Sequence, residues 1–214
     1  MTSSPGSQAA PPSDYRLLMP EGWFRLDIEP ERRERSVDAL VNRRFEGTDN
    51  APHIKRQLRQ DLLAQAAAAF REGGVELYLS LQQAGPLTIP ASLLITFLPA
   101  SNSAGTLSLE DIAASLASAR QGEGEVVQLA AGAALRVRRA TGGPGHAPPA
   151  GMPGKTEESL PSVTLDYQLP VPATSAHLLM TFSTPLVQIA DAMIELFDAV
   201  AGSLTWVDGE GKDE

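Results

Sequence analysis

Val163, Leu165, Tyr167 and Leu169 alternate with Thr164, Asp166 and Gln168. A period of two puts the first set on one face of a strand and the second on the other, so one face meets a core and the other meets water. That pattern demands an antiparallel sheet covered on one side by other elements. Further β-rich runs lie at 75–81, 91–98, 125–129, 134–139 and 177–182. Near the start, runs at 15–19 and 23–28 are broken by Pro20, Glu21 and Gly22, a turn-forming trio that predicts an opening β-hairpin.

Helical segments supply the cover. Val37, Leu40, Val41 and Phe45 predict a short amphipathic helix over 36–45, with Ser36 as its cap. Ile54, Leu58, Leu62, Ala66 and Phe70 recur at every fourth position between a start at Asn50 and Pro52 and a stop at Gly73 and Gly74. A third helix is expected over 109–120, capped by Ser108 and with Glu110 and Asp111 in its first turn. The last begins at Thr184 and Pro185 and carries Leu186, Ile189, Met193, Leu196, Val200 and Leu204 on one stripe. The fold class is therefore α+β, an antiparallel β-sheet packed against amphipathic helices. Trp23, Leu58, Phe70, Leu179 and Leu196 are expected together in one core.

A chain of 214 residues suits a single core, here assigned to 14–207 with a tail at 1–13, an acidic tail at 208–214 and a Gly- and Pro-rich flexible insertion at 141–161. There is no cysteine, which removes disulfides, thiol catalysis and thiolate metal sites. The first residues read as neither a Sec nor a lipoprotein signal, and no apolar run reaches the roughly 20 residues of a membrane span, so no membrane insertion and a cytoplasmic setting are expected. The net charge of −9 arises mostly after residue 100, where 6 bases face 14 acids. A chain this acidic is repelled on average by phosphate backbones, which argues against nucleic acid.

Pro20, Gly22, Trp23 and Phe24, followed by helices, strands and a closing amphipathic helix over 186–204, resemble the Mog1/PsbP/LpqN-like fold. The chain also resembles uncharacterised actinobacterial proteins of this type. The resemblance extends over about 14–207 and implies an α/β sandwich acting as a noncatalytic accessory factor, with no catalytic residue to carry over.

The residues themselves point the same way. His53, His146 and His177 lie in a helix start, a loop and a strand, and no two share a metal-ligand spacing. The acid pairs Glu110 with Asp111 and Glu157 with Glu158 point in different directions, and Asp191, Glu195 and Asp198 follow a solvated helix face. No serine stands in a Gly-x-Ser-x-Gly context, and Gly142, Gly143 and Gly145 lack the setting of a phosphate loop. No catalytic residue, cofactor or metal is assigned.

One uneven feature is left. Arg32, Arg33, Arg35, Arg43, Arg44, Lys55, Arg56 and Arg59 put eight cations into a span that is otherwise a pair of helices. Glu29, Glu31, Glu34, Asp38, Glu46, Asp49 and Asp61 lie among them, so the bland interpretation is ordinary surface pairing. The functional one is a protein-interaction patch, since guanidinium forks suit an acidic protein surface. If it recruits a partner, substituting Arg32, Arg33, Arg43 and Arg44 together should slow association and leave melting unchanged. The expected role is a noncatalytic interaction or adaptor domain. The alternatives are a carrier of a small apolar ligand and an enzyme whose polar groups converge only in three dimensions.

Overall fold

A computed structural model describes residues 10–46, 52–84, 87–99, 109, 123–141 and 161–208. Residues 110–120 of the expected helix at 109–120, residues 142–160 of the expected insertion at 141–161 and the ends of both tails lie outside the described residues. Seven strands form one sheet in the order β2-β3-β4-β8-β7-β6-β5, where β2 is Trp23–Leu26, β3 Gly74–Ala84, β4 Leu87–Leu98, β5 Glu123–Leu129, β6 Gly132–Thr141, β7 Ser162–Pro170 and β8 His177–Thr184. Every neighbouring pair is antiparallel. The helices are α1 (Arg33–Arg44), α2 (Pro52–Arg71) and α3 (Ala190–Gly202). No helix among the described residues is long and apolar enough to cross a membrane.

The opening hairpin does not form. Its turn is present, with Gly22 at φ 84° and the Trp23 N–H donating to the Pro20 carbonyl at 3.3 Å. Yet β1 (Asp14–Arg16) pairs with β9 (Thr205–Val207), and β2 pairs with β3. Between them, Leu17 and Met19 pack into the core beside α3, and the Leu18 N–H donates to Ser203 Oγ at 3.0 Å. The segment's bonding capacity is thus directed to the far end of the chain, and its two strands have different partners.

Because β3 alternates, Leu77 and Leu79 point to one face and Tyr78 to the other. The first face, with Leu26 from β2, packs on Val37, Leu40, Leu62 and Ala66 of α1 and α2. The second joins Leu93, Ile95, Leu165, Tyr167, Met180 and Phe182 of the sheet to Met193, Phe197 and Val200 of α3. The expected single core is therefore two, one on each side of the sheet. Trp23 belongs to the α3 side, Leu58 lies at the edge of the other, and Phe70 is 43% exposed. Burying a side chain such as Phe182 is worth about 1.5–3 kcal/mol.

The stripe of α2 explains the Phe70 discrepancy. A four-residue repeat advances about 40° too far at each step on a helix of 3.6 residues per turn. Ile54 and Phe70 are consequently rotated out to solvent, and the buried face is Leu62, Ala66 and Ala69. In α3 the expected start at Thr184 gives way to a 3-10 turn, Val187–Ile189, and the α-helix begins at Ala190. Likewise Ser36 is no cap: α1 begins at Arg33, and Ser36 Oγ accepts the Asp27 N–H at 3.0 Å, fastening the helix to the end of β2.

Candidate functional site

The eight cations of the sequence patch separate in space. Arg32 faces carboxylates, with Nε 2.9 Å from Asp27 and Nη2 2.7 Å from Glu29, beside a depression of about 350 Å³ that Arg25 and Ser36 also line. Arg33 turns back on its own loop, donating from Nε and Nη2 to the Ile28 carbonyl at 3.0 and 2.7 Å, with its guanidinium 5.8 Å from the Phe70 ring centre. Arg43 lies 4.6 Å over the Phe24 ring, and Arg44 is engaged as well. Arg35 is exposed on α1.

Lys55, Arg56 and Arg59 do come together. They occupy the first half of α2 at spacings of one and three, and with Pro52 they face Asp38, Val41 and Asn42 of α1 across a groove of about 400 Å³. Val41, only 4% exposed, makes an apolar floor. Arg59 Nε donates to Asp38 Oδ1 at 2.6 Å, and Nη2 lies 3.4 Å from Oδ2 and 3.7 Å from Glu34. That hydrogen bond holds the Asp38 carboxyl below its usual range and raises Arg59. Neither Lys55 nor Arg56 pairs with a carboxylate among the described residues.

Two part-buried networks carry no signal in the sequence. Glu76 Oε2 accepts the hydroxyls of Tyr15 at 2.8 Å and Tyr78 at 2.9 Å, while Oε1 pairs with Arg25. Burial raises both tyrosines, Tyr78 to about 12, and the bonds to Glu76 add to it. On the α3 side, Arg136 Nε lies 2.8 Å from Asp198 Oδ1, Nη1 lies 2.8 Å from Glu125, and the Tyr167 hydroxyl donates to Asp198. Asp191 accepts from Arg138 at 3.1 Å. Asp191 and Glu195 do lie on a solvated face, the Asp191 side chain being 88% exposed, whereas Asp198 is half-buried against Arg136 of the adjoining strand β6. Asp166 also departs from expectation. It is 8% exposed and paired with Arg139 through Oδ2, and its Oδ1 has no hydrogen-bond partner among the described residues.

His53 is exposed in the first turn of α2 and His177 opens β8, so the structure does not bring them together, and His146 lies outside the described residues. Among the described residues no three His, Asp or Glu side chains cluster as metal ligands would. A further depression of about 270 Å³ lies between α2 and the sheet, lined by Leu62, Gln65, Leu79, Ser80, Pro90, Ala91, Ser92, Ser183 and Pro185.

No protein-family model and no curated relative matches the chain. Solved structures do resemble it. LpqN of Mycobacterium tuberculosis, described as involved in cell envelope biogenesis, aligns over 94% of this chain and 87% of its own at 11% identity and a TM-score of 0.44. The cyanobacterial PsbP of Synechocystis sp. PCC 6803 aligns over 96% of this chain and 98% of its own at 16% identity and a TM-score of 0.30. These are proteins of the fold that the sequence resembles. The α+β architecture itself rests on the strand order and the two helical layers.

Proposed function

We propose that this chain is a noncatalytic interaction domain, an adaptor or accessory protein that engages an acidic partner protein through the groove between α1 and α2. One observation carries the reading: Lys55 and Arg56 stand at an apolar-floored groove without carboxylate partners among the described residues, on a chain whose net charge is −9. An acidic partner is repelled by most of such a surface and attracted here, which orients its approach. Arg32 and Arg33 do not enter this reading, because their guanidinium groups are already committed to Asp27, Glu29 and the Ile28 carbonyl. A cytoplasmic setting belongs to the same proposal and is checked by fractionating the native cell.

The apolar-carrier alternative would use the depression beside Leu62 and Leu79, but its volume of about 270 Å³ is below the roughly 300–1,000 Å³ usual for ligand sites. The test is affinity capture from the native cell at low salt, comparing wild type with Lys55→Gln/Arg56→Gln and with the distant pair Arg16→Gln/Arg71→Gln. Loss of a specific acidic protein in the first variant and its retention in the second supports the reading. Equal recovery by all three contradicts it.

A further inference from the structure

The Arg59 fork is imperfectly filled. Its Nε makes a short bond to Asp38 at 2.6 Å, but Nη2 reaches Oδ2 only at 3.4 Å and Glu34 at 3.7 Å, and Nη1 has no hydrogen bond among the described residues. A guanidinium binds a carboxylate best through two parallel bonds of ordinary length, and here the second of the two is stretched to 3.4 Å. The pair is also open to solvent: the side chains of Arg59 and Asp38 are 37% and 47% exposed. Lys55 and Arg56 flank it on the same helix, and Val41 and Pro52 supply apolar surface within the groove.

We infer that Asp38 is an internal competitor, holding Arg59 in the free protein until a carboxylate of the docking partner takes its place. The partner then presents an acidic segment with an aliphatic side chain beside the acid, the acid on Arg59 and the aliphatic group on Val41 and Pro52. This rests on reading the α1–α2 groove as the docking surface. A partner carboxylate approaching along the fork can make both bonds at ordinary length, and Lys55 and Arg56 beside it add attraction.

The probe is a short fluorescein-labelled peptide of Glu-Leu-Glu repeats, titrated by fluorescence anisotropy, with a Gln-Leu-Gln peptide as the uncharged counterpart. Asp38→Asn removes the competitor and should tighten binding of the acidic peptide about two- to fivefold. Glu31→Gln makes the same charge change at an exposed position outside the groove and should have a smaller effect. In an Arg59→Gln background the gain from Asp38→Asn should vanish, which ties it to the contested guanidinium. If Asp38→Asn and Glu31→Gln act equally while Lys55→Gln/Arg56→Gln still weakens binding, the competition is wrong and the docking surface stands. If Lys55→Gln/Arg56→Gln binds like wild type, the docking surface fails and the competition with it. Tighter binding of a single-stranded oligonucleotide than of the acidic peptide would overturn both.

Discussion

Phe197 of α3 stacks on Phe182 of β8 with ring centres 4.9 Å apart and an interplanar angle of 21°, and both side chains are fully buried. Trp23 meets Phe197 edge-on at 6.5 Å, and Tyr167 meets Phe182 at 6.2 Å, so four aromatic rings from three strands and a helix join at this point. Phe197→Ala should therefore cost about 3–5 kcal/mol in a urea melt. Leu196→Ala, which removes a neighbour only partly buried, should cost clearly less. Equal losses would show that α3 is rotated from the position described.

Ionisation of the tyrosines should be delayed as a group. The chain has three, and burial first, then a hydrogen-bonded carboxylate, raises each: Tyr15 and Tyr78 at Glu76, and Tyr167 at Asp198. The folded state favours the neutral phenol, whereas the unfolded chain ionises near pH 10. Stability from this source is therefore complete below about pH 10 and is lost as pH rises through the folded values, about 12 for Tyr78. In an alkaline titration the ultraviolet tyrosinate band should appear together with loss of circular dichroism. A band near pH 10 with the dichroism intact would contradict both tyrosine networks.

Arg33 and Arg56 should separate stability from binding. Arg33→Gln loses two hydrogen bonds to the Ile28 carbonyl and the contact with Phe70, and should lower stability by about 1–2 kcal/mol. Arg56→Gln, at an exposed position, should leave the melt within about 0.5 kcal/mol of wild type. The joint substitution of Arg32, Arg33, Arg43 and Arg44 is accordingly not the neutral probe that the sequence suggested. Thermal melts of the two single variants check this directly.

What could be read from residue order was what local chemistry decides. The alternation from Val163 to Leu169 does place Leu165 and Tyr167 in a core, and the six β-rich runs are strands. The turn at Gly22 was legible because its positive φ favours glycine. The partner of β1 was not, because three residues hold no preference between a neighbour and Thr205–Val207, which meets them through the closing of the whole chain. The stripes were legible in part: Val37, Leu40 and Val41 of α1 and Met193 and Val200 of α3 are buried as read, but α3 also turns Ile194 and Phe197 inward, and hydrophobicity alone did not separate them from Leu196. Arg136 and Asp198, 62 residues apart, become partners only once β6 and α3 are placed. At the candidate site, the basic run was visible, but its division was not. What sets Lys55 and Arg56 apart from Arg33 is a backbone carbonyl at Ile28, and no feature of the residue order reveals that contact.

The docking claim is tested most directly by the association rate with the acidic partner recovered by affinity capture, measured by stopped flow over a series of salt concentrations. Wild type should associate fastest at low salt and slow steeply as ions screen the groove, because the Debye length shrinks from about 10 Å at 0.1 M to about 3 Å at 1 M. Lys55→Gln/Arg56→Gln should associate more slowly at low salt, depend less on salt, and converge on the wild-type rate at high salt. Identical rates for the two proteins at every salt concentration would contradict the assignment of the α1–α2 groove as the docking surface.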